Sequence, residues 1–129
     1  MISNAILGRS VSILSHLYIG SNALCGVRDN RTFNPEPICK LADSLCDARN
    51  RSLIYLDLSK SDIGARSVKK IFEALKFNNC LKVLDISNCN ITEGGGRSVG
   101  EALSDVSYLR VLDLKCNSLG PEGCMVRIL

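Results

Sequence analysis

Three hexapeptides of one pattern constrain this chain more than any other feature of its sequence. Leu53-Ile54-Tyr55-Leu56-Asp57-Leu58, Leu81-Lys82-Val83-Leu84-Asp85-Ile86 and Leu109-Arg110-Val111-Leu112-Asp113-Leu114 begin 28 residues apart, twice in succession. Each runs on to an apolar residue at the eleventh position (Ile63, Ile91, Leu119), and the ninth position holds Ser61, Cys89 and Asn117. A fourth copy lies upstream in Leu14, Leu17, Ile19, Asn22 and Leu24, 39 residues before Leu53, so that its unit carries 11 extra residues, mostly within 25–37. A unit this short cannot bury its own leucines. Stacking on its neighbours is the way to remove them from water, so the chain must fold as an array.

The pattern L-x-x-L-x-L-x-x-N/C-x-L is the signature of the leucine-rich repeat. Helical stripes fill the intervals. Val68, Ile71, Phe72 and Leu75 recur at the spacing of one helix face within Ser67–Leu75, Val99, Ala102 and Leu103 repeat it within Ser98–Leu103, and Ile38, Leu41, Ala42 and Leu45 do so in the long unit. Pro35 and Pro37 stand where proline suits a helix start. Gly64, Gly94, Gly95, Gly96, Gly120 and Gly123 are expected in the turns between strand and helix. The expected fold is α/β: a leucine-rich-repeat solenoid forming a short horseshoe segment, with parallel strands on the concave face and helices on the convex face. Residues 1–129 make one domain with units starting near 14, 53, 81 and 109, the last incomplete. Ile2, Ile6, Leu7 and Val11 read as the remains of a preceding helix. Neither end shows a polar cap, which predicts either a fragment of a longer array or self-association through open ends.

Composition narrows the class. With 46% hydrophobic residues and a net charge of only +3 from 16 basic and 13 acidic residues, the chain is not intrinsically disordered. The two signs are interleaved, without the basic stripe of a nucleic-acid binder, so no nucleic-acid partner is expected. No apolar run is long enough to span a bilayer, and the amino terminus lacks a secretory pattern. The chain is therefore expected to be intracellular and cytoplasmic, with no membrane partner. Its seven cysteines are irregularly spaced and His16 is the only histidine, so no zinc site of ordinary spacing can be assembled, and reduced, structural thiols are expected. No cofactor or metal is expected. Glu93-Gly94-Gly95-Gly96-Arg97-Ser98 lacks the lysine and spacing of a phosphate-binding loop, and a nucleophile would have only His16 as a base. Enzymatic activity is not expected.

The 28-residue period with a helix in each unit resembles the ribonuclease-inhibitor-like class of leucine-rich repeats. Leu56-Asp57-Leu58-Ser59, Ile63-Gly64-Ala65 and Gly100-Glu101-Ala102-Leu103 are similar to phrases common in that class. The resemblance implies a non-catalytic module that binds a protein partner through the concave strand face. It also leaves open a regulator of a small GTPase resembling the Ran GTPase-activating protein, although the acidic tail and longer array of that protein are missing here.

Alternation along each strand assigns the surface. With the leucines inward, the exposed columns are His16, Tyr55, Val83 and Val111; then Tyr18, Asp57, Asp85 and Asp113; then Gly20, Ser59, Ser87 and Lys115. The partner-binding candidates are Tyr18, Tyr55, Asp57, Val83, Asp85, Val111 and Asp113, and the long loop adds Arg28, Arg31 and Phe33. The aspartate row reads either as a docking stripe for basic groups or as the recurring L-D-L phrase of the repeat. The apolar and aromatic column reads either as an interface or as ordinary strand preference.

Overall fold

The computed structural model describes residues 13–26, 33–47 and 49–123, and the structural statements below concern these. The elements alternate along the chain: β1 (His16–Tyr18), α1 (Glu36–Cys46), β2 (Tyr55–Asp57), α2 (Gly64–Leu75), β3 (Val83–Asp85), α3 (Glu93–Leu103), β4 (Val111–Asp113) and the single turn α4 (Gly120–Gly123). The four strands form one parallel sheet in the order β1-β2-β3-β4, and each helix packs on the next. This is the leucine-rich-repeat solenoid that the spacing predicts. The segment holding Ile2, Ile6, Leu7 and Val11 lies outside the described residues.

Each strand is three residues long because the repeat demands no more. The ladder is nevertheless extended on both sides, for example by Leu58 N–H donating to Asp85 O at 2.9 Å and Lys60 N–H to Ser87 O at 2.9 Å. The chain then turns sharply at the eighth position of every unit. Ser21, Lys60, Asn88 and Cys116 all have positive φ, between 51° and 57°, in a region that side chains other than glycine seldom occupy. The turn strands backbone groups that no ladder reaches, and the ninth side chain satisfies them. Asn117 donates from Nδ2 to Ile86 O (2.8 Å) and Leu114 O (2.9 Å), while its Oδ1 accepts from Cys89 N–H and Ile91 N–H, both at 3.0 Å. Ser61 Oγ donates to Asn22 O at 2.6 Å, and the Cys89 thiol to Leu58 O at 3.1 Å. The ninth position is thus a stitch between neighbouring units, which explains why it accepts Asn, Ser or Cys and no aliphatic residue.

The core lies between sheet and helices and is tightest in the middle. Leu56, Leu84, Ile63, Ile91, Ile71 and Phe72 are fully buried, whereas Leu14, Leu17, Leu24, Leu109, Leu114 and Leu119 in the first and last units are only partly so. In α1 the stripe Ile38, Leu41, Ala42 and Leu45 is buried as its spacing predicts, with Pro35 at the cap and Pro37 in the first turn.

Two sequence expectations need correction. First, α3 starts at Glu93 rather than near Ser98, so Gly94, Gly95 and Gly96 belong to its opening turns and not to a loop. The three differ in their surroundings: a Cβ at Gly95 would stand 2.5 Å from Ile91 Cγ2, so the close packing of this turn on Ile91 requires glycine there, whereas one at Gly94 would meet nothing within 4 Å. Alanine substitutions should therefore split in sign. Gly94→Ala should raise stability by about 0.5 kcal/mol through helix propensity and reduced unfolded-state entropy, and Gly95→Ala should lower it by about 1–3 kcal/mol through overpacking; thermal melts of the two variants decide. Second, not every cysteine is a buried structural thiol. Cys25, Cys39 and Cys89 are buried, but Cys46 and Cys116 are exposed, Cys116 because it occupies the strained turn.

Burial pushes the Cys89 thiol up to about 11. Because the unfolded thiol ionises near 9, the unfolded state loses its proton first, and folding stability should fall as pH rises from about 9 to about 11. The full effect is on the order of 3 kcal/mol. Urea melts of the native chain and of Cys89→Ala across that interval should diverge in slope, and parallel curves would remove this thiol from the account.

Candidate functional site

The register of the sheet decides which side chains share a row. His16 pairs with Tyr55, Tyr55 with Val83 and Val83 with Val111; one step of alternation further on, Tyr18 pairs with Asp57, Asp57 with Asp85 and Asp85 with Asp113. The intervening Leu17, Leu56, Leu84 and Leu112 point the other way, toward the helices. All seven strand candidates therefore lie on one face, opposite the helices. Tyr18 is 63% exposed and Val111 49%, and Tyr55, Val83, Asp57, Asp85 and Asp113 are half-buried.

At the β1 end of this face three rings gather. Tyr18 and Tyr55 have ring centroids 4.9 Å apart with a 33° tilt. His16 stacks on Tyr55 at 5.8 Å and 15° and lies 6.3 Å from Tyr18 at 18°. The three planes are close enough to parallel to form an aromatic platform, a geometry worth about 0.5–1.5 kcal/mol per pair beyond burial. His16 was placed in the exposed column by alternation, but its part in a ring cluster was not visible in the sequence, because strand 1 and strand 2 are separated by the 39-residue unit. Its Nδ1 lies 2.9 Å from Ser15 Oγ.

The aspartates have a local task. Asp57 Oδ1 accepts from Ser59 N–H at 2.8 Å, Asp85 Oδ1 from Ser87 N–H at 2.9 Å and Ser87 Oγ at 2.7 Å, and Asp113 Oδ1 from Lys115 N–H at 2.9 Å. Each carboxylate thus closes the turn that follows its own strand, a recognised use of aspartate. That accounts for the recurrence of L-D-L, and it occupies one oxygen of each. Asp113 also faces the Lys115 ammonium at 3.7 Å. Asp57 and Asp85 carry no ion pair among the described residues. In the first unit Tyr18 replaces the aspartate, and Gly20 follows; a Cβ there would stand 2.8 Å from Asp57 Oδ1 and from Ser59 O, so the close approach of β1 to the Asp57 carboxylate requires glycine. The electrostatic result is visible at Tyr55, whose phenol is pushed above its usual range by burial first and then by Asp57 and Asp85, with Tyr18 and Asp113 adding to it.

The loop candidates separate from the strand face. Phe33 is partly buried against the core, so its ring anchors the long segment, helped by Asn34 N–H donating to Cys25 O at 2.6 Å. Arg28 and Arg31 lie outside the described residues. No helix among the described residues is long and apolar enough to cross a membrane.

The Leucine Rich repeat family matches residues 49–72, 77–100 and 107–126, more than half of the chain, and the chain belongs to that family. The first unit falls outside the match, yet β1 joins the same sheet in register. No curated protein matches the chain in sequence. Among solved structures, leiomodin-1 actin-binding site 2 is similar with a TM-score of 0.75 and 14% identity, covering 96% of this chain and 66% of that one. The C-terminal domain of tropomodulin from Caenorhabditis elegans has a TM-score of 0.72 and 14% identity, covering 95% and 69%. This chain spans about two thirds of the length of either domain, and at this identity the likeness is one of fold.

Proposed function

We propose that this chain is a non-catalytic protein-interaction module whose partner docks on the strand face. The observation that carries the reading is the ring cluster of Tyr18, Tyr55 and His16, with Tyr18 63% exposed, on the face opposite the described helices. Tyrosines of this kind, with an apolar body and a polar tip, are enriched among the residues that dominate binding energy. Val83 and Val111 continue the apolar column, and Asp57, Asp85 and Asp113 border it. The 28-residue period with a helix in each unit supports the ribonuclease-inhibitor-like class within the family. Leiomodin's site is named for actin, which makes actin one partner to test here.

Site-specific cross-linking checks the docking face. A photoreactive phenylalanine analogue placed at Tyr18 should capture a protein from a cell lysate, and the same group at Glu73, exposed on the helix side, should not. Capture from Glu73 alone would move the interface to the helices and overturn the reading. Purified actin, offered to the same two derivatives, shows whether it is the captured protein.

A further inference from the structure

We infer that the strand face receives an arginine side chain from a basic segment of the partner, with the guanidinium packed against the exposed Tyr18 ring and held by Oδ2 of Asp57 and of Asp85. The inference rests on the docking face proposed above and specifies its ligand.

Three features converge on it. The rings stack on one another, Tyr18 with Tyr55 at 4.9 Å and His16 on Tyr55 within 15°, and Tyr18 stands 63% exposed at the β1 end of the stack. A planar cation stacks on such rings, and guanidinium does so better than a compact, strongly hydrated ammonium. The second feature is the charge beside the rings. Tyr18 and Asp57 are paired across β1 and β2, and Asp85 is the next neighbour in the row, about 4.8 Å further along the sheet. Each of these two carboxylates spends Oδ1 on its own turn, which holds the group in one orientation and leaves Oδ2 without a partner among the described residues. A fork of guanidinium donors suits a carboxylate held this way. The third feature is the distribution of charge. The chain is net +3, yet among the described residues Asp57 and Asp85 carry no ion pair, whereas Asp113 at the far end of the row faces Lys115. The end of the row beside the tyrosines is therefore the part without a paired cation, and the Tyr55 phenol there is raised first by burial and then by Asp57 and Asp85.

Calorimetric titration with three synthetic nonapeptides of one backbone tests this, the peptides carrying three arginines, three lysines or three citrullines. The arginine peptide should bind at least tenfold more tightly than the citrulline peptide and about threefold more tightly than the lysine peptide, and raising salt should weaken it. Asp57→Asn combined with Asp85→Asn should weaken binding at least tenfold. Tyr18→Ala should weaken it about fivefold, and because Tyr18 is mostly exposed this variant folds normally. Equal binding of arginine and citrulline peptides, or of arginine and lysine peptides, would overturn the inference, as would indifference to the double Asp→Asn change. Asp57→Asn and Asp85→Asn each keep an acceptor for the turn, and circular dichroism confirms that the fold is retained. If cross-linking from Tyr18 captures a protein while the arginine peptide does not bind, the arginine falls and the docking face stands. If Tyr18 captures nothing and Glu73 does, both fall.

Discussion

Leu84→Ala should destabilise the chain by about 3–4 kcal/mol, and Leu17→Ala, one column position but two strands away, by about half of that. Both leucines are the central residue of their strand and point toward the helices. Leu84 is fully buried between units on either side, so truncation leaves a cavity whose walls are held by two sets of neighbours. Leu17 is only partly buried, and its site can relax or admit water. Chemical denaturation of the two variants measures the ratio. Equal losses would mean that the array does not transmit burial from neighbour to neighbour, contrary to the additive, nearest-neighbour behaviour of stacked repeats.

Asn78→Ala should cost about 2–4 kcal/mol, more than its removal of a polar side chain suggests. Asn78 is 6% exposed and follows α2. Its Nδ2 donates to Leu45 O, the penultimate residue of α1, at 2.9 Å, and its Oδ1 accepts from Cys80 N–H at 3.0 Å and Leu81 N–H at 2.8 Å. One amide therefore ties the end of a helix in one unit to the entry of the strand in the next. Alanine would leave three buried backbone groups without a partner. Asn50, the equivalent residue 28 positions earlier, is the internal control: its Nδ2 reaches Ser44 O at 3.3 Å and its Oδ1 has no partner among the described residues. Asn50→Ala should cost less than Asn78→Ala, and thermal melts of the pair would refute the account if the order were reversed.

The period alone led to the solenoid, the parallel sheet and the inward leucines, because a repeat that cannot bury its own apolar face has essentially one way to do so. It also led to the two exposed columns, since alternation in a strand is a geometric necessity and needs no neighbour to operate. The same reasoning failed at Gly94–Gly96. Three glycines read as a turn by propensity, whereas in the fold they open α3, with Gly95 packed closely on Ile91. Cys116 is exposed because it sits at the eighth position, where the backbone takes a positive φ.

The candidate site divides in the same way. Membership of the strand face by Tyr18, Tyr55, Asp57, Val83, Asp85, Val111 and Asp113 follows from sequence, because position within a repeat sets direction. Contacts across units do not. That His16, Tyr18 and Tyr55 form one platform depends on β1 pairing in register across a unit of irregular length. The bond from each aspartate to the N–H two residues on is, by contrast, local to its own turn. Phe33, unassigned by any period, is placed by the core it partly fills. Local periodicity determines which way a side chain points, since that is a property of one strand; only the packed array decides what it meets, since that distance is set between units far apart in the chain.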